Sequence, residues 1–171
     1  LPIYRLAEMA HHDILTGLPN RLLLTDRLEN GIKQMPLTQL PRGLEHLYLQ
    51  KNDLHEFAAM PVEVARIKSL SLYRNRLTTF DWPAGQSALS RLNLGANPLV
   101  SLPETLSECA ALESLGLART QISCLPEWVF SIQTLRELDI SYIEDRIPPA
   151  QIAHLRARRV SLITRPGLVM P

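Results

Sequence analysis

Cysteine, aromatic side chains and net charge are all scarce in this sequence, and each shortage narrows what the chain can be. It holds two cysteines, Cys109 and Cys124, too few for a disulfide framework. They occupy different slots of the periodic pattern described below. Cys109 falls where the returning chain turns an apolar side chain inward, so it is read as a reduced core residue. The formal charge of +1 is too small to point to nucleic acid or an anionic membrane as a partner. No apolar run approaches the roughly 20 residues that a membrane-spanning helix needs. The sequence contains no nucleophile–base pair, no Gly-rich phosphate loop and no Cys/His metal spacing. The histidines His11, His12, His46, His55 and His154 share no ligand spacing beyond the first adjacent pair. No enzyme, no cofactor and no metal is therefore expected.

Leucine is abundant, at roughly a fifth of the chain, while aromatics make up only 5%. That balance suits a core of stacked aliphatic layers better than one globular centre. The leucines are also periodic. Leu89-x-x-Leu92-x-Leu94-x-x-Asn97-x-Leu99 leads into Leu102-Pro103-x-x-Leu106. The phrase restarts at Leu112 with Leu115, Leu117, Thr120, Ile122 and Leu125-Pro126, and again at Leu135 with Leu138 and Ile140. The period is about 23 residues. Upstream, Leu44-Leu47-Leu49-Asn52-Leu54 and Ile67-Leu70-Leu72-Asn75-Leu77 extend the array. Ala157-Val160-Leu162 closes it as a worn unit, giving five clear repeats and one degenerate.

These in-register copies resemble the leucine-rich-repeat family, in its bacterial-type variety with Leu-Pro midway, over about three quarters of the chain. The resemblance implies an α/β solenoid: a curved right-handed superhelix with a parallel β-sheet on the concave face, occupying residues 37–171. The six strands are expected near 46–50, 69–73, 91–95, 114–118, 137–141 and 159–163. Asn52, Asn75 and Asn97 form a column whose side chains satisfy backbone groups stranded where the chain turns inward, each worth roughly 1–3 kcal/mol if left unpaired. The column gives way to Thr120, Ile143 and Arg165, which predicts a looser C-terminal half. Arg156, Arg158, Arg159 and Arg165, clustered with His154, are read as a solvated closing face.

Residues between the core leucines face outward together. Tyr48, Tyr73, Arg74, Asn93, Arg119, Asp139 and Tyr142 are the candidate partner-binding residues, flanking a low saddle of Gly95, Ala96, Gly116 and Ala118. The family implies a protein-interaction module, here a monomer with a protein partner and neither nucleic acid nor membrane. No signal peptide is legible at Leu1, though the missing initiating Met leaves room for a longer precursor. The location expected is cytoplasmic, or secreted if the array belongs to a bacterial effector.

Residues 1–36 break the period. Leu6, Met9, Leu22, Leu23, Leu28 and Ile32 have helical spacing around a Thr16–Asn20 turn, which predicts a two-helix cap. Within it, His12 to Arg21 resembles the opening motif of GGDEF-type diguanylate cyclases. That family would place a metal on Asp13 and guanine contacts on Asn20 and Glu29. The Gly-Gly-Asp/Glu-Glu-Phe turn that completes the catalytic metal site occurs nowhere, so a degenerate GTP- or c-di-GMP-related sensing fragment is the alternative this motif offers.

Overall fold

The computed structural model describes residues 23–25, 44–57 and 66–166. Asp13, Asn20, Glu29 and most of the expected helical cap lie outside them. Seven three-residue strands form one parallel sheet in strict sequence order: β1 Leu23–Thr25, β2 His46–Tyr48, β3 Ser69–Ser71, β4 Arg91–Asn93, β5 Ser114–Gly116, β6 Glu137–Asp139 and β7 Ser161–Ile163. Between them lie a 3-10 turn at Glu104–Glu108, helix α1 at Trp128–Ser131 and helix α2 at Pro149–Ala157. Each strand sets its central leucine beside the next: Leu24 against Leu47, then Leu70, Leu92, Leu115, Leu138 and Leu162. The sheet is open, and the fold is an α/β solenoid.

The period explains the register. A unit of about 23 residues is long enough for one strand and one return segment, so every unit repeats the same inward set one layer along. Leu47 and Leu49, Leu70 and Leu72, Leu92 and Leu94, Leu115 and Leu117, and Leu138 and Ile140 are all buried. The return segments close the other side. Phe57, Phe80 and Trp82 stack at centroid distances of 5.6 and 6.2 Å, and the segment around Asp81–Gly85 is not helical, as its Pro and Gly content predicts. Trp82 and Trp128 are both buried packing residues.

The structure corrects three of the sequence expectations. Leu23–Thr25 is not helical but a seventh strand, in the same register with β2 as all the others. The chain there keeps the period while retaining only Leu24 of the leucine phrase, so its side chains hid it. The strands are also shorter than the leucine phrase, because the residue four places after the central leucine turns to a positive φ: Lys51 at 60°, Arg74 at 56°, Ala96 at 54°, Arg119 at 57° and Tyr142 at 70°. Rung-to-rung bonding continues into that turn, with the amides of Lys51, Arg74, Ala96 and Arg119 donating to Tyr73, Gly95, Ala118 and Ser141. At the C-terminal end, β7 starts at Ser161 rather than Arg159, since Arg159 is still closing α2.

That helix begins at Pro149, a position where proline's missing N–H costs nothing. It ends in a Schellman motif: Val160 N–H donates to Leu155 O, Arg159 N–H donates to Arg156 O, and Arg159 holds φ 60°. A non-glycine residue pays about 1–2 kcal/mol in that region. Arg159→Gly is therefore expected to raise the melting temperature, offset in part by the extra freedom of an unfolded glycine. A melting temperature lower than wild type would mean that the Arg159 side chain makes a contact worth more than the strain.

Candidate functional site

One face of the sheet is packed and the other is not. In β4 the pattern is exposed, buried, exposed for Arg91, Leu92 and Asn93, and β6 repeats it with Glu137 exposed, Leu138 buried and Asp139 half-buried. The outward residues form columns one rung apart, about 4.8 Å at sheet spacing. Two neighbouring columns, His46, Ser69, Arg91, Ser114, Glu137 and Tyr48, Ser71, Asn93, Gly116, Asp139, line a shallow hollow of about 410 Å³ that runs along the stack, His46 excepted.

The candidate residues distribute over three places. Tyr48, Asn93 and Asp139 line that hollow. Arg74 lies instead at the loop edge of the sheet, where it shares a separate hollow of about 650 Å³ with Lys51, Asp53 and Arg76. Arg119 and Tyr142 pair with each other, the guanidinium carbon 4.0 Å above the ring centroid. The column of His46, Ser69, Arg91, Ser114 and Glu137 lies outside the candidate set, which starts from the residue between the two core leucines. Strand alternation would have found it, since residues two apart share a face.

Hydrogen bonds fix the orientation of two of these side chains. Asn93 Oδ1 accepts the Gly95 amide at 3.0 Å, and Asp139 Oδ1 accepts the Ser141 amide at 3.0 Å and its hydroxyl at 2.7 Å. Both are the same local i to i+2 device. The glycines between them do not leave an open saddle. A Cβ on Gly116 would sit 2.9 Å from Asn93 Oδ1, and one on Gly95 would sit 3.2 Å from the Tyr73 ring. The missing side chains make room for Asn93 and Tyr73 to lean over the floor.

Beneath the face runs the asparagine column. Asn75 Nδ2 donates to Leu49 O and Leu72 O, both at 2.8 Å, and its Oδ1 accepts the Leu54 amide at 3.1 Å. Asn97 does the same one unit on, to Leu72 O, Leu94 O and Leu77 N–H, at 2.9, 2.8 and 3.0 Å. Asn52 Nδ2 bonds Leu49 O at 3.1 Å. At Thr120 only the bond within the unit survives, from Oγ1 to Leu117 O at 2.8 Å. Beyond it, arginines take over. Arg146 reaches Thr120 O, and Arg158 satisfies Val129 O, Phe130 O and Ile132 O at the end of α1. Arg158 and Arg165 are thus tied down rather than part of a freely solvated closing face.

Arg165 bridges Glu144 at 2.5 Å and also Asp145. Glu144 is buried, which pushes its carboxyl pKa up, but hydrogen bonds from its own backbone and from Arg165 outweigh burial and hold it below the ordinary carboxylate value. A depressed folded-state pKa contributes stability that is complete above the unfolded value, about 4.3, and lost as pH falls through the folded one. Glu144→Gln should accordingly lower the melting temperature at pH 7, with the gap from wild type closing as the pH drops below about 4. A gap that stays constant with pH would show that the carboxylate charge contributes nothing.

Both cysteines are free thiols, and burial pushes Cys109 up to about 11, which keeps it protonated and inert. Among the described residues no cluster of His, Cys, Asp or Glu is arranged to hold a metal ion, and no helix is long and apolar enough to cross a membrane.

An open parallel sheet of in-register short strands, with an asparagine column under it and leucines inside, defines a leucine-rich-repeat solenoid. No protein-family model matches the chain. It is similar to keratocan of Gallus gallus, 34% identical over 130 residues, which cover 72% of this chain and 35% of that one. It is also similar to the probable serine/threonine-protein kinase pats1 of Dictyostelium discoideum, 28% identical over 80% of this chain but only 5% of that one, a partial and distant match. Among solved structures, the functional domain of InlJ from Listeria monocytogenes aligns with a TM-score of 0.56 at 24% identity, over 66% of this chain and 24% of that one. A leucine-rich-repeat protein of Leptospira interrogans aligns with a TM-score of 0.53 at 24% identity, over 76% and 40%. At that identity the structures speak for the fold alone. The chain is a leucine-rich-repeat protein, and it spans about a third of the keratocan it matches.

Proposed function

We propose that the open face of the sheet docks a protein partner, and that this chain is an interaction module with no chemistry of its own. Leucine-rich repeats are generally protein–protein interaction modules. The observation that carries the reading for this chain is the one-sided burial of β4 and β6, which leaves Arg91, Asn93, Glu137 and Asp139 turned outward above a sealed leucine layer. A net charge of +1 favours a protein over nucleic acid as the partner. Tyrosine and arginine, which recur in Tyr48, Tyr73, Arg74, Arg119 and Tyr142, are the residue types that dominate binding energy at protein interfaces.

The test is a triple substitution, Tyr73, Arg74 and Tyr142 to Ala, assayed against a partner isolated with the wild-type chain. Affinity should fall by about tenfold or more, the loss of one or two interface anchors, while the melting temperature holds. Unchanged affinity in a folded variant would remove this face from consideration.

A further inference from the structure

Charge along the open face is segregated, and the segregation describes the partner. The early rungs carry Arg91 in the hollow, with Lys51 and Arg74 at the loop edge beside it, all exposed, and among the described residues none of them has a carboxylate within ion-pair distance. The β6 rung carries the exposed Glu137 and half-buried Asp139, which take hydrogen bonds from Ser114 and Ser141 and, among the described residues, form no ion pair. Arg119, on the rung before, faces the Tyr142 ring.

Two pairs of opposite charges that stand one rung apart are ion-paired, Glu45 with Lys68 at 3.0 Å and Asp53 with Arg76 at 2.5 Å. Arg91 and Glu137 share a column but stand two rungs apart, with Ser114 between them, roughly 10 Å at sheet spacing. Among the described residues neither of them has an ion-pair partner, yet they line the same hollow.

Resting on the reading that this face docks a protein, we propose that the docking segment is bipolar: an extended stretch whose acidic side chain meets Arg91 and whose basic side chain, about four residues away at 3.3 Å per residue and so on the same side, meets Glu137 and Asp139. Uniformly acidic or basic segments would satisfy one end and be repelled at the other, so the arrangement selects among partners and fixes their direction along the stack.

The experiment uses three fluorescein-labelled octapeptides of equal length, one bipolar with two glutamates and two lysines around a Ser-Gly spacer, one all acidic and one all basic. Binding is followed by fluorescence anisotropy at low salt, where surface charges are least screened. The bipolar peptide should bind tightest. Arg91→Glu should weaken it by about tenfold and move the preference to the basic peptide, and Glu137→Lys should move it to the acidic one. A ranking that neither variant changes overturns the proposal. Ser71→Trp plugs the face without altering charge and separates the two readings. If it abolishes binding while the charge variants leave the ranking alone, the face is a docking site that ignores polarity. Binding that survives the plug and both charge variants removes the face as well.

Discussion

Asn97→Ala should destabilise the protein by about 3–5 kcal/mol, and by more than the same change at Asn75, because the two asparagines have different neighbours. Losing Asn75 leaves Leu49 O still served by Asn52 and Leu72 O still served by Asn97, so the Leu54 amide is the main group stranded. Losing Asn97 strands both the Leu77 amide and Leu94 O, since the next member of the column is Thr120, whose hydroxyl is already committed to Leu117 O. Each buried orphan costs about 1–3 kcal/mol, which sets both the size and the order of the effects. Thr120→Asn gives the converse, a gain of about 1 kcal/mol from an amide that could accept from Leu99 N–H. Urea unfolding of the three variants checks the series. Equal losses at Asn75 and Asn97 would mean that the column does not share its acceptors.

Leu117→Ala should cost about 2–5 kcal/mol, the range for a fully enclosed leucine whose neighbours cannot collapse into the gap. The position adds a second effect. A solenoid is held by contacts between adjacent units, so a cavity at β5 weakens the single junction joining the units before it to those after it. The variant's unfolding should lose its single transition and show two, reporting the two halves separately. A loss below about 1 kcal/mol, or a single sharp transition at lower urea, would mean the array is not coupled unit by unit.

Most of the layer arrangement was legible because leucine slots and strand alternation depend only on spacing. Every leucine of the phrase between Leu44 and Leu138 is buried, and the outward columns follow from the same count. The left-handed turn that follows each of β2 to β6 was not legible. Lys51, Arg74, Ala96, Arg119 and Tyr142 include no glycine or asparagine, the residues that usually announce a positive φ, so the strain is imposed by the coil of the solenoid rather than by local preference. The first strand escaped for a related reason: Leu24 stands one period before Leu47, but in the sequence Arg21, Asp26, Glu29 and Gly31 stand one period before Leu44, Leu49, Asn52 and Leu54. On the site itself, spacing gave which side chains face outward but not where they lie. The lean of Asn93 and Tyr73 over the glycines depends on rotamers and on hydrogen bonds to the second residue on, and the capture of Arg158 by the end of α1 depends on a reach of more than a full repeat in sequence.

Everything from the buried leucines to the exposed face rests on rungs bonded edge to edge in one continuous stack. Native-state amide hydrogen exchange tests that stack directly. The amides of Leu49, Lys51, Leu72, Arg74, Leu94, Ala96, Leu117 and Arg119 all donate to the following rung, half of them from the left-handed turn beyond the strand. They should exchange slowly and together, near the rate of global unfolding. Exchange of the Lys51, Arg74, Ala96 and Arg119 amides at the rate of an open loop, with only the strand amides protected, would contradict the stack as described.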